Sequence, residues 1–218
     1  MLTWNKPAGL PVFPPHERPD GACVLADVLR AQPFRAEVAW PAGFEGGIAH
    51  RLDNATSGAL WIADDVEELG RIREDFEQRR ILKWYVLEAA KDVPWDSHRV
   101  DLPIAHDPRK KGRCVVPRGK ATPHRGEWRE AETEFERVGE RIFVARMRTG
   151  VMHQIRVHAA AVGLALRGDR IYGGGGPIAE EVPFRLHHLG AVGMGEGVAL
   201  PGWAIDVREA LKGLAAPL

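Results

Sequence analysis

Apolar and polar residues along the chain set out a series of short elements. Leu2–Asn5 reads as a strand stopped by Pro7, and residues 7–20 as a proline-rich loop. Val24, Leu25, Val28 and Leu29 fall at helical spacing within residues 23–31. Ile48–Leu52 and Ala59–Ala63 are apolar runs on either side of a turn-like Asn54–Gly58, and read as strands into and out of a loop. Asp64 or Asp65 is placed to cap a helix with the stripe Val66, Leu69, Ile72 and Phe76. From Ile81 to Ala90 the period becomes two, so Leu82, Trp84 and Val86 share one face while Lys83 and Tyr85 share the other. Alternation returns over 131–138, with Glu132, Glu134 and Glu136 opposite Thr133 and Phe135, and Arg141–Arg148 follows as a partner strand. His153–Val162 reads as a helix ended by Gly163, and Arg185–Leu189 as a last short strand. Hairpin-like strand pairs mixed with a few helices predict an α+β fold rather than a doubly wound parallel sheet.

Composition narrows the class. A chain of 218 residues can form one good-sized domain or two small ones, and no repeat or long linker divides it. A hydrophobic fraction of 44% is too high for a disordered chain, and no apolar run approaches the ~20 residues of a membrane span. The first residues, MLTWNKPAG, lack the charged start and apolar stretch of a secretory signal. Two cysteines, Cys23 and Cys114, stand far apart, which argues against a zinc ribbon or a disulfide framework and fits a reducing, cytoplasmic compartment. The well-charged surface that this composition implies suits a monomer.

The 30 basic and 30 acidic side chains cancel, so any nucleic-acid face has to be local. Residues 106–129 supply one. Arg109, Lys110, Lys111, Arg113, Arg118, Lys120, Arg125 and Arg129 are opposed only by Asp107 and Glu127. A charge run is ordinarily a solvated loop; the functional alternative is a phosphate-contacting arm.

His50-Arg51-Leu52-Asp53-Asn54-Ala55-Thr56-Ser57-Gly58 is the densest polar cluster beside apolar runs. Asp53 can bond to its own turn with help from Thr56 and Ser57. It can also be a carboxylate held at a strand end as nucleophile or base. No second acidic residue lies in the loop, so paired-carboxylate glycosidase chemistry lacks local support. Nine histidines raise a metal hydrolase built on His50 and Asp53 as an alternative. His153 and His158 are five apart, however, which turns their rings to different faces of a helix. No metal is expected, and the histidines are read as structural or RNA-contacting.

The loop HRLDNATSG resembles the H-R-L-D-x-x-T-S-G loop of RluA-type pseudouridine synthases. Asn5-Lys6-Pro7-Ala8-Gly9 is similar to that family's N-K-P-x-G segment, and Lys83-Trp84-Tyr85 to its K-x-Y strand. Thr149-Gly150 through His153-Gln154-Ile155-Arg156-Val157-His158 resembles its T-G-x-x-H-Q-I-R-x-H segment. Gly168-Asp169 with Tyr172-Gly173, then Arg185-Leu186-His187, continue the series in family order.

The resemblance implies a single catalytic domain over residues 1–218, with a mixed, largely antiparallel β-sheet flanked by helices. It implies no cofactor, because the reaction is an internal rearrangement. The bond between ribose C1′ and uracil N1 breaks, the base turns, and C5 is joined instead. Asp53 takes the place of the family's catalytic aspartate. Tyr85 takes that of the tyrosine that packs on the uracil and is a candidate for moving the C5 proton. Arg156 takes that of the arginine that pairs with the aspartate, where a guanidinium would favour the charged carboxylate. Arg51 resembles the arginine that enters the gap left by the flipped base. Lys83 is placed for a phosphate contact, His153 and Gln154 for substrate contacts, and Arg109, Lys110 and Lys111 for RNA grip. The partner implied is ribosomal or transfer RNA. Val151 stands where the family commonly has arginine. No N-terminal S4 RNA-binding domain is expected, which leaves substrate choice to the catalytic domain. A non-catalytic RNA-binding module of the same fold is the alternative from another class.

Overall fold

The hydrophobic patterns become ten strands and four α-helices in a computed structural model that describes residues 1–119, 121–176, 178, 184–195 and 197–217. β1 (Leu2–Lys6) leads through the proline-rich loop to α1 (Val24–Ala31), whose first turn is capped by the Cys23 thiol. β2 (Ser57–Ile62), α2 (Val66–Glu77) and β3 (Lys83–Glu88) follow. Four strands come next: β4 (Ser97–Val100), β5 (Ile104–His106), β6 (Cys114–Val115) and β7 (Arg125–Arg129). β8 (Thr133–Gly139), β9 (Ile142–Met147) and α3 (Gln154–Ala161) precede β10 (Leu186–Ala191), and α4 (Arg208–Gly213) ends the series.

Seven strands form the main sheet in the order β1-β2-β10-β3-β9-β8-β4. Only the β2–β10 pair is parallel, so the sheet is mixed and largely antiparallel, as the α+β reading expects. The period of two in β3 sets the core. Trp84 and Val86 pack with Val144, Leu189 and α4's Leu211, while Tyr85 and Leu87 face α1's Val28 and α3's Ile155 and Ala159. In α2 the Asp65 carboxylate accepts from Glu68 N–H at 2.7 Å, and Leu69 and Ile72 lie against Trp61.

Three expectations need correction. Ile48–Leu52 is not a strand: Ile48 makes one bridge to Ile62, and Ala49 N–H bonds Trp61 O at 2.9 Å. β1 and β10 already occupy the two edges of β2, so no ladder is left for this run. The helix starts at Gln154, because His153 has left-handed backbone (φ 58°, ψ 17°). The basic segment is not a bare loop. β5, β6 and β7 pair into a second sheet of order β6-β5-β7, with Ile104, Cys114 and Val116 turned onto Ala131, Val157 and Tyr172. The density of charge in this segment masks its small apolar side. Lys120 lies outside the described residues.

Candidate active site

Asp53 lies in the loop before β2, and the loop is fixed mainly through its backbone. Thr56 N–H donates to Asp53 O at 3.0 Å. The fully buried Lys6 ammonium, at the end of β1, donates to Asn54 O, Thr56 O and Pro7 O at 2.8–2.9 Å. Burial lowers Lys6 to about 8, with the charge of Asp53 opposing. Gly58 closes the loop with φ 112°, where a Cβ would stand 2.1 Å from His188 O on β10. Only glycine lets the two strands approach so closely. The Asp53 side chain keeps 28% exposure, so a rigid loop presents a carboxylate that solvent and substrate can reach.

Arg156, in the first turn of α3, meets Asp53 from the other side. Its Nε and Nη2 donate to Asp169 at 2.7 and 3.0 Å, a two-pronged pair with a carboxylate that is 1% exposed. That grip leaves Nη1 to donate to Asp53 Oδ2 at 3.2 Å. The Phe184 ring lies 4.4 Å from the guanidinium carbon and the Tyr172 ring 5.1 Å. Asp169 stands in the Gly168-Asp169 pair of the family pattern, but sequence reasoning gave it no role.

Tyr85 projects from β3, stacked on His188 with ring centroids 4.5 Å apart. Burial, and then the charge of Asp53, push its phenol well above the ordinary value, so it is neutral near pH 7. No hydrogen bond engages its hydroxyl among the described residues. His153 places Nε2 at 3.8 Å from Asp53 Oδ2 and Nδ1 at 3.0 Å from the Tyr172 hydroxyl. Asp53, Tyr85, Arg156 and His153 are therefore brought together.

Other predicted contacts are not. Gln154 is 2% exposed: its amide nitrogen, with two N–H groups, lies within hydrogen-bond distance of Glu132 O, Thr133 Oγ1 and Thr149 Oγ1, and its Oε1 accepts from Val151 N–H. It braces the start of α3 and has no group left for substrate. Lys83 is buried too; its ammonium donates to Thr149 O at 2.7 Å, and burial lowers it to about 8. A phosphate at the surface is out of its reach. Arg51 is exposed, its guanidinium 5.8 Å from the Phe13 ring. Arg109, Lys110 and Lys111 are exposed at the β5–β6 turn, where Asp107 Oδ1 accepts the N–H groups of Arg109 and Lys110. No hydrogen bond or ion pair joins these three side chains to Asp53 among the described residues.

Three further histidines, His158, His187 and His188, serve the frame. His158 bonds Thr133 Oγ1 and Leu102 O, His187 bonds Ser57 Oγ, and His188 bonds Ala59 O. Burial lowers His187 to about 4, and it lowers His158 and His188 as well. Among the described residues no three His, Cys, Asp or Glu side chains group as a metal set would.

A family model for RNA pseudouridylate synthase matches residues 1–161. The chain is 36% identical over 176 residues to "Ribosomal large subunit pseudouridine synthase D" of Yersinia pestis, covering 80% of this chain and 50% of that protein. It is 34% identical over 131 residues to "RNA pseudouridine synthase 2, chloroplastic" of Oryza sativa subsp. japonica, covering 59% of this chain and 29% of the relative. The chain thus spans about half or less of the length of these relatives. Among solved structures, "Human RNA Pseudouridylate Synthase Domain Containing 4" matches with a TM-score of 0.63 and 22% identity, over 96% of this chain and 89% of that one. That likeness bears on the fold.

Proposed function

The chain belongs to the RNA pseudouridylate synthase family, and from that premise we propose that it isomerises uridine to pseudouridine in structured RNA. One observation carries the reading: a reachable carboxylate, Asp53, on a loop pinned by Lys6, 3.2 Å from a guanidinium that Asp169 holds in place. Binding alone has no use for a carboxylate facing a polyanion. The catalytic unit of this reading extends past the family match to β10, which lies between β2 and β3 in the main sheet.

Uracil in a stacked helix hides its reacting atoms, so the target base turns out into the site, with Arg51 placed to fill the gap. Asp53 supplies negative charge at C1′ while the C1′–N1 bond breaks and its electron pair stays on the uracil. Arg156 offers the carboxylate a fixed, charged partner. The base turns, C5 bonds C1′, the C5 proton leaves, and a proton is returned at N1. No atom is gained or lost, so the account needs no cofactor, and turnover is expected to continue in excess EDTA. Tyr85 floors the uracil, and its neutral phenol relays the C5 proton by taking it on oxygen while its own hydroxyl proton passes to the vacated N1, which leaves the phenol neutral again. It is not a resident phenolate base.

RNA grip falls to the small sheet. Arg109, Arg113, Arg118 and Arg170 surround a cavity of about 670 Å³ between that sheet and α3. The relatives named for the ribosomal large subunit favour ribosomal over transfer RNA as the substrate. A pseudouridine map of total RNA from cells with and without the gene tests the proposal. The expected result is at least one uridine modified only when the gene is present. Identical maps, with RNA binding retained by the purified protein, would leave a binding module instead.

A further inference from the structure

The hydrogen bonds around Tyr172 have one consistent set of directions. The backbone N–H of Cys114, on β6, donates to the Tyr172 hydroxyl oxygen at 2.8 Å. The phenol's own proton then has His153 Nδ1 at 3.0 Å as its strong acceptor, the neighbouring Cys114 thiol being a far weaker one. If Nδ1 carried a proton, two donors would converge on that oxygen. The phenolic proton, on a residue only 8% exposed, would be left with only the weak Cys114 thiol as a partner. Nδ1 therefore accepts, and the proton of the neutral imidazole sits on Nε2. Nε2 faces Asp53 Oδ2 at 3.8 Å, too far for a direct hydrogen bond, which keeps this N–H free for another partner.

The backbone points the same way. His153 holds φ 58°, a conformation that L-residues other than glycine rarely adopt, yet its side chain makes no capping bond to α3. Its imidazole serves the pocket, not the helix. Asp53, Arg156, Asp169, Tyr172 and His106 are the charged and titratable groups around it. Burial, the largest influence, keeps the ring neutral near pH 7, although Asp53 opposes this.

We propose that His153 is a further catalytic residue, a neutral imidazole presenting Nε2–H to the reacting uridine beside Asp53, with Tyr172 as the positioning residue that fixes this tautomer. The role rests on the reading of Asp53 given above. As the C1′–N1 bond breaks, negative charge spreads over N1 and the carbonyl oxygens of the uracil. A fixed neutral donor aimed at that charge stabilises it without reorganisation. Protonation would turn the ring into a cation that pairs with Asp53 and withdraws both groups. The first donor of the chain comes from β6, so the sheet that carries the basic turn also orders the catalytic pocket.

Two-bond 1H–15N correlation spectra of protein labelled in histidine read the tautomer directly. His153→Asn, which tolerates a left-handed backbone, identifies the signals. The expected spectrum at pH 7 shows His153 with Nδ1 unprotonated and Nε2 protonated. An Nδ1–H tautomer, or an imidazolium at pH 7, overturns the proposal whatever the enzyme does. Tyr172→Phe removes the donor to Nδ1, so His153 should titrate at higher pH and the acid limb of the single-turnover profile should move up with it. The bound-state rate should fall about 10-fold for Tyr172→Phe and about 100-fold for His153→Asn, with RNA affinity within about twofold. Lowered stability with the rate and acid limb unmoved would make the pair merely structural and overturn the catalytic role. If Asp53→Asn kept full activity, the reading of the site would fail, while the tautomer would stand or fall on the spectra alone.

Discussion

The Asp53 pocket and the small sheet β6-β5-β7 treat charge in opposite ways. In the pocket Lys6, Arg156 and Asp169 are almost entirely removed from water, and each is matched to carbonyls or to an opposite charge. On the small sheet Arg109, Lys110 and Lys111 are open to solvent, their turn tied by the Asp107 carboxylate and by Arg113 N–H donating to Lys110 O. Buried charges are costly to leave unpaired, so they hold one geometry. Exposed charges are screened and movable, so they attract a polyanion without fixing it. A cut among the buried charges of the pocket should therefore cost stability and chemistry together. A cut on the small sheet should cost affinity alone.

The largest expected effect on stability is at Arg156. Arg156→Leu leaves the Asp169 carboxylate buried with a single backbone donor, Ile171 N–H, and strips Asp53 of its charged partner. Stability should drop by about 3–5 kcal/mol. Single-turnover pseudouridine formation should fall by about 10²–10³-fold at temperatures where the variant remains folded. Denaturant titration and rates on a mapped RNA check both. A variant that is fully stable but inactive would show that the Asp169 pair is not the support assigned to it.

Acid should reach the main sheet next. His187, which is 3% exposed, is held near 4 by burial, against about 6.5 in the unfolded chain. Its folded value is depressed, so the unfolded state binds the proton first. The contribution is complete above about 6.5 and is lost as pH falls toward 4. At pH 5 the loss from His187 alone is about 2 kcal/mol, and the buried His158 and His188 act in the same direction. Thermal unfolding midpoints should fall steeply between pH 7 and pH 5. His187→Gln, which keeps a partner for Ser57 without a proton to gain, should flatten that fall. A flat wild-type curve would contradict the burial argument.

The smallest effect on stability belongs to the small sheet. Replacing Arg109, Lys110 and Lys111 by alanine should leave stability within about 0.5 kcal/mol, because all three are exposed. The slope of log affinity against log salt should drop by about 0.7–0.9 for each phosphate that the variant no longer neutralises. Bound-state rates should hold. Binding titrations at several salt concentrations decide it, and an unchanged slope would remove the turn from the RNA footprint.

Legibility in the sequence divides along the same line. The period of two in β8 and the α2 stripe are readable, because burial of one face leaves a direct mark on residue type, whereas β3 is buried on both faces and the HRLD loop is readable from its polar cluster. Ile48–Leu52 carries the same apolar mark without forming a strand, since which run pairs with β2 is decided by β1 and β10 from far along the chain. Lys83 and Gln154 look like surface groups in sequence, and only packing shows that carbonyls and hydroxyls consume them. Asp169 and Tyr172 belong to segments of the family pattern, but their work lies in long-range hydrogen bonds to Arg156, Cys114 and His153. The small sheet is hidden because two- to five-residue strands carry too few alternations to stand out from a charge run.

On the function proposed above, the Asp53 carboxylate drives the bond exchange, and Lys6, Arg156 and Asp169 hold and charge its surroundings. Asp53→Asn tests it most directly, because the side chain keeps its shape and can still face Arg156 at the mouth of the pocket. Single-turnover assays with saturating enzyme on a mapped RNA should show pseudouridine formation abolished. RNA affinity should stay within about twofold and the unfolding midpoint should stay close to that of the wild type. Pseudouridine forming at the wild-type rate in the folded Asp53→Asn protein would contradict the account.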